Sequence, residues 1–495
     1  MTLTHIGNSI NGEAAGDHSG LSVSMSSDGS IVAIGAPYNN GNGYRSGHVR
    51  IYQNINGEWE QLGDDIDGEE SSDSSGWSVS LSSDGSVVAI GAQNNDGNGS
   101  NSGHVRIYKN VNNSWSQIGS DIDGEAAGDI SGLSVSLSSD GSVVAIGAPN
   151  NDGNGTDSGQ VSIYKYENGI GTQVGGDING EAAYDYSGWS VSLSGDGSII
   201  AIAANGNNSG SGLVRIYKNV NNSWIKIGDD IDGEAANDYS GQSVSLSNDG
   251  SVVAIGAYGN DGNGTDSGHV RIYKNENNTW TQVGSDIDGE ADGDRLGRSV
   301  SLSADGSVVA IGAPHNSANG TNSGHTRIYK NENNTWTQVG SDIDGEVAGD
   351  SSGKSISLSA DGSVVAIFAP YGEDNGNRNG HIRIYKNVNK TWTLFSEIYS
   401  NANVSFGNNS IDRVSLSDDG SVVAFGTGLS WNLPGSVRVY TNNVDGGDAT
   451  FSIVGTAAVG NTLSVNLDTA DPDGTGNLSY QWQSSSDGST WSNVS

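Results

Sequence analysis

The segment SVSLSSDGSVVAIGAP, residues 134–149, contains the pattern that decides the fold of this 495-residue chain. Its first five residues alternate between polar and apolar side chains, as a half-buried β-strand does. Asp140 and Gly141 form a strong hairpin signal, and VVAIGA is a β-branched run typical of a fully buried strand. The segment therefore predicts two antiparallel strands joined by a tight two-residue turn.

This hairpin recurs along the chain at intervals of 53–58 residues, and no helical period interrupts the copies. The turn aspartates are Asp28, Asp84, Asp140, Asp196, Asp249, Asp305, Asp361 and Asp419. Each copy continues with two further strand patterns, such as HVRIYKN and WTQVGSDI, which are separated by polar turns. Eight copies of a four-stranded antiparallel unit predict an all-β fold, an eight-bladed β-propeller with almost no helix.

The ends of the repeat array are offset in a way that predicts ring closure. The chain opens with THIGNSINGE, which matches an outer strand, and the eighth unit stops after its third strand, SVRVYTN. We expect residues 5–10 to pair with residues 436–441 and so complete the last blade. Such closure leaves no exposed sheet edge.

The motif Gly-Ala-Pro after a buried strand, followed by an alternating strand that ends in tyrosine, resembles the FG-GAP repeats of integrin-type propellers. SSDGSVVA also resembles the hairpin of WD-type and related bacterial propellers. The resemblance covers about residues 3–443 and implies a propeller of a secreted bacterial surface protein. FG-GAP repeats typically carry an acidic calcium loop between their first two strands. Here that segment holds one acid, so Asp28, Asp84 and their equivalents are interpreted as turn residues.

The sequence divides into a propeller at 1–443 and a different segment at 444–495. The second segment resembles the start of Ig-like or cadherin-like repeats of large bacterial adhesins. A complete Ig-type sandwich needs about 100 residues. The resemblance therefore implies an incomplete β-sandwich and a longer protein with further domains.

Composition excludes several function classes. Lys and Arg number 21 against 58 Asp and Glu, a formal net charge of −37. A chain this acidic repels phosphate, which argues against nucleic-acid partners and anionic membrane surfaces. It has no cysteine, so disulfides and thiolate chemistry are excluded. No apolar run approaches the 18 residues of a membrane span, so direct membrane insertion is not expected.

Residues 1–5 lack the basic start and apolar run of a signal peptide. We expect the protein to be extracellular or at the cell surface. It would then be secreted by a route that does not use an N-terminal signal peptide, or its true N-terminus lies elsewhere.

An acidic motif, D-x-D-G-E-x-x-x-D, lies between the outer strand of one unit and the next unit. Its acids are Asp65, Asp67, Glu69 and Asp73; Asp121, Asp123, Glu125 and Asp129; Asp230, Asp232, Glu234 and Asp238; Asp286, Asp288, Glu290 and Asp294; and Asp342, Asp344, Glu346 and Asp350. Alternating hard oxygen ligands with a glycine that bends the chain suit calcium, although the spacing is not that of an EF-hand. The alternative is a loop whose aspartates bond their own backbone amides.

A second polar loop, NNDGNGTDSG, joins the second and third strands and is predicted to emerge on the same face. Asp152, Asn154 and Asp157, or Asp261, Asn263 and Asp266, could also bind a cation, but a flexible hairpin loop is the simpler interpretation.

Arginines, histidines and tryptophans also recur at fixed positions of the repeat. Because an active site needs one asymmetric constellation, we interpret these recurring residues as packing residues.

Two positions beside the innermost strand differ between otherwise similar repeats. These two positions, together with the residues next to them in sequence, place aromatic and cationic residues at the predicted mouth of the central channel. The candidate ligand-binding residues are Trp77, Tyr184, Tyr186, Trp189, Tyr239, Arg295, Arg298 and Lys354. Aromatic rings beside polar groups suit sugar rings or protein partners, whereas drift at solvated positions would also produce such variation. Trp189, Tyr186 and Tyr239 are expected to form an aromatic platform with Arg295 and Arg298 at its edge.

The function predicted from the sequence is a non-catalytic, calcium-stabilised adhesion module that binds a glycan or a cell-surface protein. The alternatives are a propeller enzyme acting on glycans, such as a glycosidase or lyase with a carboxylate pair, and a structural spacer of a surface fibre. Turnover on polysaccharides would indicate the enzyme, and glycan binding would distinguish the module from the spacer.

Overall fold

The computed structural model describes residues 4–374, 377–378, 380–399, 414–426, 433–441, 450–454, 464–469, 483–484 and 492–493. The chain divides into two compact units, Met1–Tyr440 and Thr441–Ser495. No helix among the described residues is both long and apolar enough to cross a membrane.

The described residues of the first unit form eight antiparallel sheets, each with the order innermost, second, third and outer strand. The innermost strands are Ser22–Met25, Ser78–Leu81, Ser134–Leu137, Ser187–Leu193, Ser243–Leu246, Ser299–Leu302, Ser355–Leu358 and Val414–Leu416. The second strands are Ile31–Ala36, Val87–Ala92, Val143–Ala148, Ile199–Ala204, Val252–Ala257, Val308–Ala313, Val364–Ala369 and Val422–Gly426. The third strands are His48–Ile55, His104–Val111, Gln160–Glu167, Leu213–Val220, His269–Glu276, His325–Glu332, His381–Val388 and Ser436–Thr441. The sheets are numbered blades 1 to 8 in this order.

The outer strands of blades 1 to 7 are Glu58–Gln61, Ser114–Gln117, Ile170–Gln173, Ser223–Lys226, Thr279–Gln282, Thr335–Gln338 and Thr391–Tyr399. Blades 1 to 6 add a short strand that pairs with the third strand: Ile66–Asp67, Ile122–Asp123, Ile178–Asn179, Ile231–Asp232, Ile287–Asp288 and Ile343–Asp344. A two-stranded hairpin, Glu373–Asp374 with Asn377–Arg378, lies between the second and third strands of blade 7. A four-residue turn, Asn207–Gly210, with Asn208 and Ser209 at positive φ, lies in the corresponding loop of blade 4.

The first strands of the chain complete blade 8, as the sequence predicts. Thr4–His5 and Ile10–Asn11 both pair with Ser436–Thr441, with Ile10 opposite Val437. The Ile6 N–H donates to the carbonyl of Val439 at 3.0 Å. The all-β, eight-bladed propeller with four-stranded blades is therefore confirmed.

A ring of backbone hydrogen bonds runs around the hairpin end of the channel. The residue before each turn aspartate donates its N–H to the carbonyl of the equivalent residue in the next blade, at 2.7–2.8 Å. These residues are Ser27, Ser83, Ser139, Gly195, Asn248, Ala304, Ala360 and Asp418. Asp418 donates to Ser27, so the eight bonds form a closed circle.

The hydrophobic core lies between blades. One cluster joins Ala33 and Ile51 of blade 1 to Val88 and Ile90 of blade 2, and seven similar clusters occupy the other junctions of the described residues. The second strands are buried along both faces because each blade is covered on both sides by its neighbours. This explains their continuous apolar runs.

The recurring arginine fastens neighbouring blades, which confirms its interpretation as a packing residue. The guanidinium of Arg106 in blade 2 donates to the backbone carbonyl of Asp67 in blade 1 at 2.5 Å. It also lies 5.6 Å from the ring centroid of Tyr108. Six other arginines make the equivalent bond to the preceding blade: Arg50, Arg215, Arg271, Arg327, Arg383 and Arg438.

Two local predictions were wrong in detail. The Asp-Gly turn has four residues, because the Ser26 N–H bonds to the carbonyl of Ile31 and the Gly29 N–H to that of Ser26. The expected single outer strand is split in blades 1 to 6, because a glycine of positive φ, such as Gly119 at +75°, turns the chain. Blade 7 lacks this glycine, and its outer strand continues from Thr391 to Tyr399.

In the second unit, Thr450–Val454 pairs with Ser464–Thr469, and Gln483–Ser484 pairs with Ser492–Asn493, both antiparallel. The rest of 444–495 lies outside the described residues, and the Ig-like or cadherin-like prediction for that segment remains a prediction.

Removing residues 1–12 is expected to expose the edge of Ser436–Thr441 and cause aggregation. The deletion also removes buried Ile6 and Ile10, each worth about 2 kcal/mol of burial. Light scattering and the urea midpoint measure the effect. A variant that lacks only residues 1–3 serves as the control. Equal stability and monomeric behaviour of the two variants would contradict this account of closure.

Candidate functional site

The inter-blade loops and the loops between second and third strands lie on one face, as predicted. The Asn98 side chain donates to the carbonyl of Gly124 at 2.9 Å, which joins the two kinds of loop. The same bond recurs from Asn42, Asn154, Asn263 and Asn319. We call this surface the loop face.

The innermost strands enclose a central channel of about 640 Å³. Its wall consists mainly of consecutive Ser-Val-Ser triplets from the innermost strands. At the loop-face end the wall carries the residues that differ between repeats. They are Trp77, Leu133, Trp189, Gln242, Arg298 and Lys354.

Blades 4 to 6 contribute a connected group at this mouth. In the amide orientation that satisfies its neighbours, the side-chain oxygen of Gln242 accepts hydrogen bonds from Trp189 Nε1 at 3.2 Å and from Arg298 Nη1 at 2.5 Å. Trp189 remains 37% exposed, so its ring is available to a ligand while its N–H is held. The contacts orient a tryptophan and an arginine side by side.

Arg298 also belongs to an aromatic cluster with Tyr239 and Tyr258. The two tyrosine rings stack at 5.2 Å with an interplanar angle of 5°. The guanidinium of Arg298 lies 5.4 Å from the Tyr258 centroid, and that of Arg295 lies 5.8 Å from it. Arg295 also pairs with Asp266 at 3.7 Å. Burial lowers the pKa of Arg298, and Arg295 adds to this effect while Tyr258 opposes it.

Lys354 extends the cationic side of the mouth into blade 7, and His315 of blade 6 lies among these cations. The pKa of His315 is lowered to about 4 by burial and by the nearby charges of Arg295, Lys354 and Arg298. The imidazole is therefore neutral near pH 7, and three permanent cations surround it.

The remaining candidates are distributed differently from the prediction. Tyr184 is 55% exposed, and the Tyr186 ring lies over Gly206 in the adjacent loop. Burial raises the pKa of Tyr186, and Asp157 adds to this. Trp77 packs beside the cluster between blades 7 and 8.

Within the described residues, neither Trp189 nor Tyr186 makes a ring contact with Tyr239, whose stacking partner is Tyr258. The expected three-ring platform is thus divided into separate groups.

Tyr258 and His315 were missed as site residues. Tyr258 stands where the Gly-Ala-Pro motif has proline in blades 1, 3, 6 and 7, and His315 follows that position in blade 6. A comparison of this position across repeats would have found both residues. Gln242 occupies one of the two variable positions but is not among the site residues predicted from the sequence.

In the acidic inter-blade loops, the last aspartate of the motif accepts hydrogen bonds from backbone amides of its own loop. Asp129 accepts the backbone N–H groups of Glu125 and Ala126 at 3.0 and 2.9 Å. Asp73, Asp238, Asp294 and Asp350 do the same in their loops. For this acid the loop-stabilising interpretation holds.

The histidine that begins a third strand lies close to the glutamate of one inter-blade loop and to the first acid of the next loop. Asp230 is an exception, because it pairs with Lys226 at 2.7 Å. The groups are Glu13, His48 and Asp65; Glu69, His104 and Asp121; Glu234, His269 and Asp286; Glu290, His325 and Asp342; and Glu346, His381 and Glu397. In each group one possible ligand atom per residue lies within 4.8 Å of the others. We call these groups the imidazole junctions.

The other acids predicted to be turn or loop residues bond locally. Asp152 and Asp261 accept the N–H groups of Asp157 and Asp266 within their own loops. Asp28 accepts Ser26 Oγ at 2.7 Å and the Ser30 N–H at 2.9 Å. Burial acts to raise the pKa of Asp28, but these hydrogen bonds outweigh it and the pKa is lowered.

Four segments of the chain match the FG-GAP repeat family model: residues 11–52, 66–108, 231–273 and 285–329. The chain therefore carries FG-GAP repeats. A search of curated proteins returned no match.

Among solved structures, the Dos1 propeller has a TM-score of 0.50 at 14% identity, covering 89% of this chain and 94% of that chain. A putative 6-phosphogluconolactonase from Bacteroides uniformis has a TM-score of 0.48 at 14% identity, covering 75% and 97%. A periplasmic gluconolactonase from Pseudomonas aeruginosa has a TM-score of 0.43 at 16% identity, covering 74% and 95%. At such identities the likeness to the Dos1 propeller shows the fold alone.

The low pKa of His315 predicts an acid-dependent loss of stability. The unfolded chain takes up this proton near pH 6.5, whereas the folded chain takes it up near pH 4. The lowered pKa of His315 therefore contributes fully to the free energy of unfolding above pH 6.5, and this contribution is lost as the pH falls toward 4.

His315→Asn copies Asn94 and Asn150 of blades 2 and 3. It should reduce the decline in unfolding free energy between pH 6.5 and 4 by on the order of 1–2 kcal/mol, because solvent screens this half-buried site. Urea unfolding at both pH values measures the difference. An unchanged decline would contradict the lowered pKa.

Proposed function

We propose that this chain is a non-catalytic extracellular binding module whose ligand sits on the loop face at the channel mouth. The observation that carries the proposal is the group formed by Trp189, Gln242 and Arg298, beside Lys354. A partly exposed tryptophan and two cations stand here in a channel wall made mainly of serine and aliphatic residues. An aromatic face suits a sugar ring, and a guanidinium suits a carboxylate or sulfate group.

The charge of the site narrows the ligand. Arg298, Arg295 and Lys354 lie together on a protein whose formal net charge is −37. A long polyanion would be repelled by the surrounding acidic loops, whereas one acidic group could reach the cations at the mouth. We therefore favour a glycan that ends in an acidic sugar. An acidic peptide of a cell-surface protein is the second possible ligand and a separate outcome of the test.

The channel wall supports binding rather than catalysis. The described residues that line it carry serine, aliphatic, tryptophan, glutamine, arginine and lysine side chains, without a carboxylate or imidazole. General acid–base work on a glycosidic bond usually needs a pair of carboxylates. A secreted adhesin context is part of the proposal and rests on the resemblance in sequence. Stabilisation of the module by a divalent cation is also part of the proposal, and it rests on the acids of the inter-blade loops.

Binding of the full chain to an array of neutral and acidic glycans, together with acidic peptides, tests this proposal. Arg298→Gln and Trp189→Leu copy residues that other blades carry at the same position, Gln242 and Leu133, so the fold should persist. Loss of the charge-assisted hydrogen bonds from Arg298 should cost about 1.5–3 kcal/mol, roughly a 10- to 150-fold rise in Kd. Trp189→Leu should weaken binding to neutral and acidic forms of one glycan equally.

Lys390→Asn is the matched control, because it removes an exposed cation from an outer turn and copies Asn334. It should leave Kd unchanged. Equal affinity of Arg298→Gln and the native chain would overturn the assignment of the site. Preference for acidic peptides would replace the glycan as ligand, and released sugar products would overturn the non-catalytic function.

A further inference from the structure

Five blades bury a histidine at the first position of the third strand: His48, His104, His269, His325 and His381. Each is at most 1% exposed. Neither ring nitrogen of any of them has a hydrogen-bond partner within the described residues. Buried polar atoms are almost always paired, so ten such nitrogens at equivalent positions require an explanation.

The Nδ1 atom of His48 points toward carboxylates from two directions. It lies 3.6 Å from Asp65 Oδ2 and 3.9 Å from Asp67 Oδ1, both at the outer edge of its own blade. It lies 3.8 Å from Glu13 Oε2, on the loop that enters from the neighbouring blade. Three acids and one imidazole thus meet where two blades join.

The junctions are short of positive charge. Oδ1 of Asp123 lies 3.9 Å from His104 Nδ1, and Oδ1 of Asp344 lies 3.9 Å from His325 Nδ1. Arg106 contacts Oε1 of Glu69 at 3.8 Å, while Oε2 faces His104 at 3.7 Å. One glutamate oxygen is therefore left to a further cation.

We propose that each imidazole junction binds one divalent transition-metal ion, of which zinc is the representative, through the histidine Nδ1, the glutamate and the first acid of the motif. In the Glu346, His381 and Glu397 junction, Nε2 is the nitrogen that faces Glu397, at 3.9 Å. Ligand atoms bound to zinc at 2.0–2.1 Å in a tetrahedron are about 3.4 Å apart. The histidine–glutamate separations of 3.7–3.8 Å in four junctions need only a small contraction. The other ligand atoms of a group lie within 4.8 Å of one another, so they must move closer by up to about 1.4 Å.

The imidazole distinguishes this site from the calcium loop expected from the sequence. Calcium takes six to eight oxygen ligands, whereas a neutral imidazole nitrogen suits zinc and related metals. The last aspartate of the motif is already bound to backbone amides. The same acids therefore belong to a smaller, mixed nitrogen and oxygen donor set.

Blades 3 and 4 provide natural comparisons without the histidine. In blade 3 the residue is Gln160, which donates to Glu125 Oε2 at 3.1 Å and so replaces the proposed ion with a hydrogen bond. In blade 4 it is Leu213, and Glu181 pairs instead with Arg215 at 3.3 Å. Where the histidine is missing, the glutamate thus has a partner at 3.1–3.3 Å, closer than the arginine contacts of 3.8–3.9 Å in two of the histidine junctions.

Each ion would link two blades, because the glutamate and the histidine come from opposite sides of a junction. Metal should therefore raise the melting temperature of the propeller, beyond the effect of sodium at equal ionic strength. Binding to the native state alone produces such a shift.

Zinc titration of the metal-free full chain, followed by equilibrium dialysis and metal analysis, tests the proposal. We expect about five zinc ions per chain and a higher melting temperature, both lost in chelator. His48→Gln copies Gln160 and should lower the stoichiometry by one. Gln160→His should raise it by one, since Glu125 and Asp177 already occupy the corresponding positions.

Asp230→Asn is the matched control, because it removes the same loop acid at a junction without histidine. It should leave the zinc count unchanged. Circular dichroism checks that each variant is folded, and the gain at Gln160→His does not depend on any loss of stability. A zinc count unaffected by His48→Gln and by Gln160→His would overturn the proposal. So would stabilisation by calcium alone that persists in the histidine variants.

Discussion

The closed circle of eight backbone hydrogen bonds is the constraint on which the rest of the propeller depends. Each bond joins one residue of a blade to the same residue of the next, so the interaction is head-to-tail and closes only at a fixed number of copies. Asp418 reaches Ser27 in blade 1, and the strand Thr4–His5 then fills the last blade. Blade spacing, channel width and the inter-blade cores all follow from this closure.

The excess of acidic residues is concentrated where the backbone and a few cations can offset it. The last loop aspartate accepts two backbone amides, and the recurring arginine lies beside the glutamate while its other nitrogen bonds to the preceding blade. Charges beyond about 8 Å are screened at physiological ionic strength. The cations at the channel mouth are therefore governed by their immediate neighbours, Tyr258, Gln242 and Asp266, rather than by the net charge of the chain.

Repetition made the fold predictable from sequence, because a weak strand signal repeated eight times becomes specific. The same repetition explains the errors. The Asp-Gly signal did not distinguish a two-residue from a four-residue turn, and the glycine in WTQVGSDI was counted as part of a strand although its positive φ ends one. For the site, the variable positions Trp189 and Arg298 were found, but Tyr258 lies far from them in sequence. The variation at its own repeat position marks Tyr258 as a candidate, but the stacking of its ring on Tyr239 is what places it in the site.

The two proposed sites follow from opposite properties of the repeat. A junction that recurs with the same kind of histidine and acids acts alike at five of the eight blade interfaces, so it can stabilise the ring but cannot select one ligand. The channel mouth differs from blade to blade, so it alone can present an asymmetric surface to a partner. Gln160 and Gln242 illustrate the distinction. Gln160 replaces a repeated ligand with a hydrogen bond inside a junction, whereas Gln242 holds Trp189 and Arg298 in a single arrangement that no other blade of the described chain repeats.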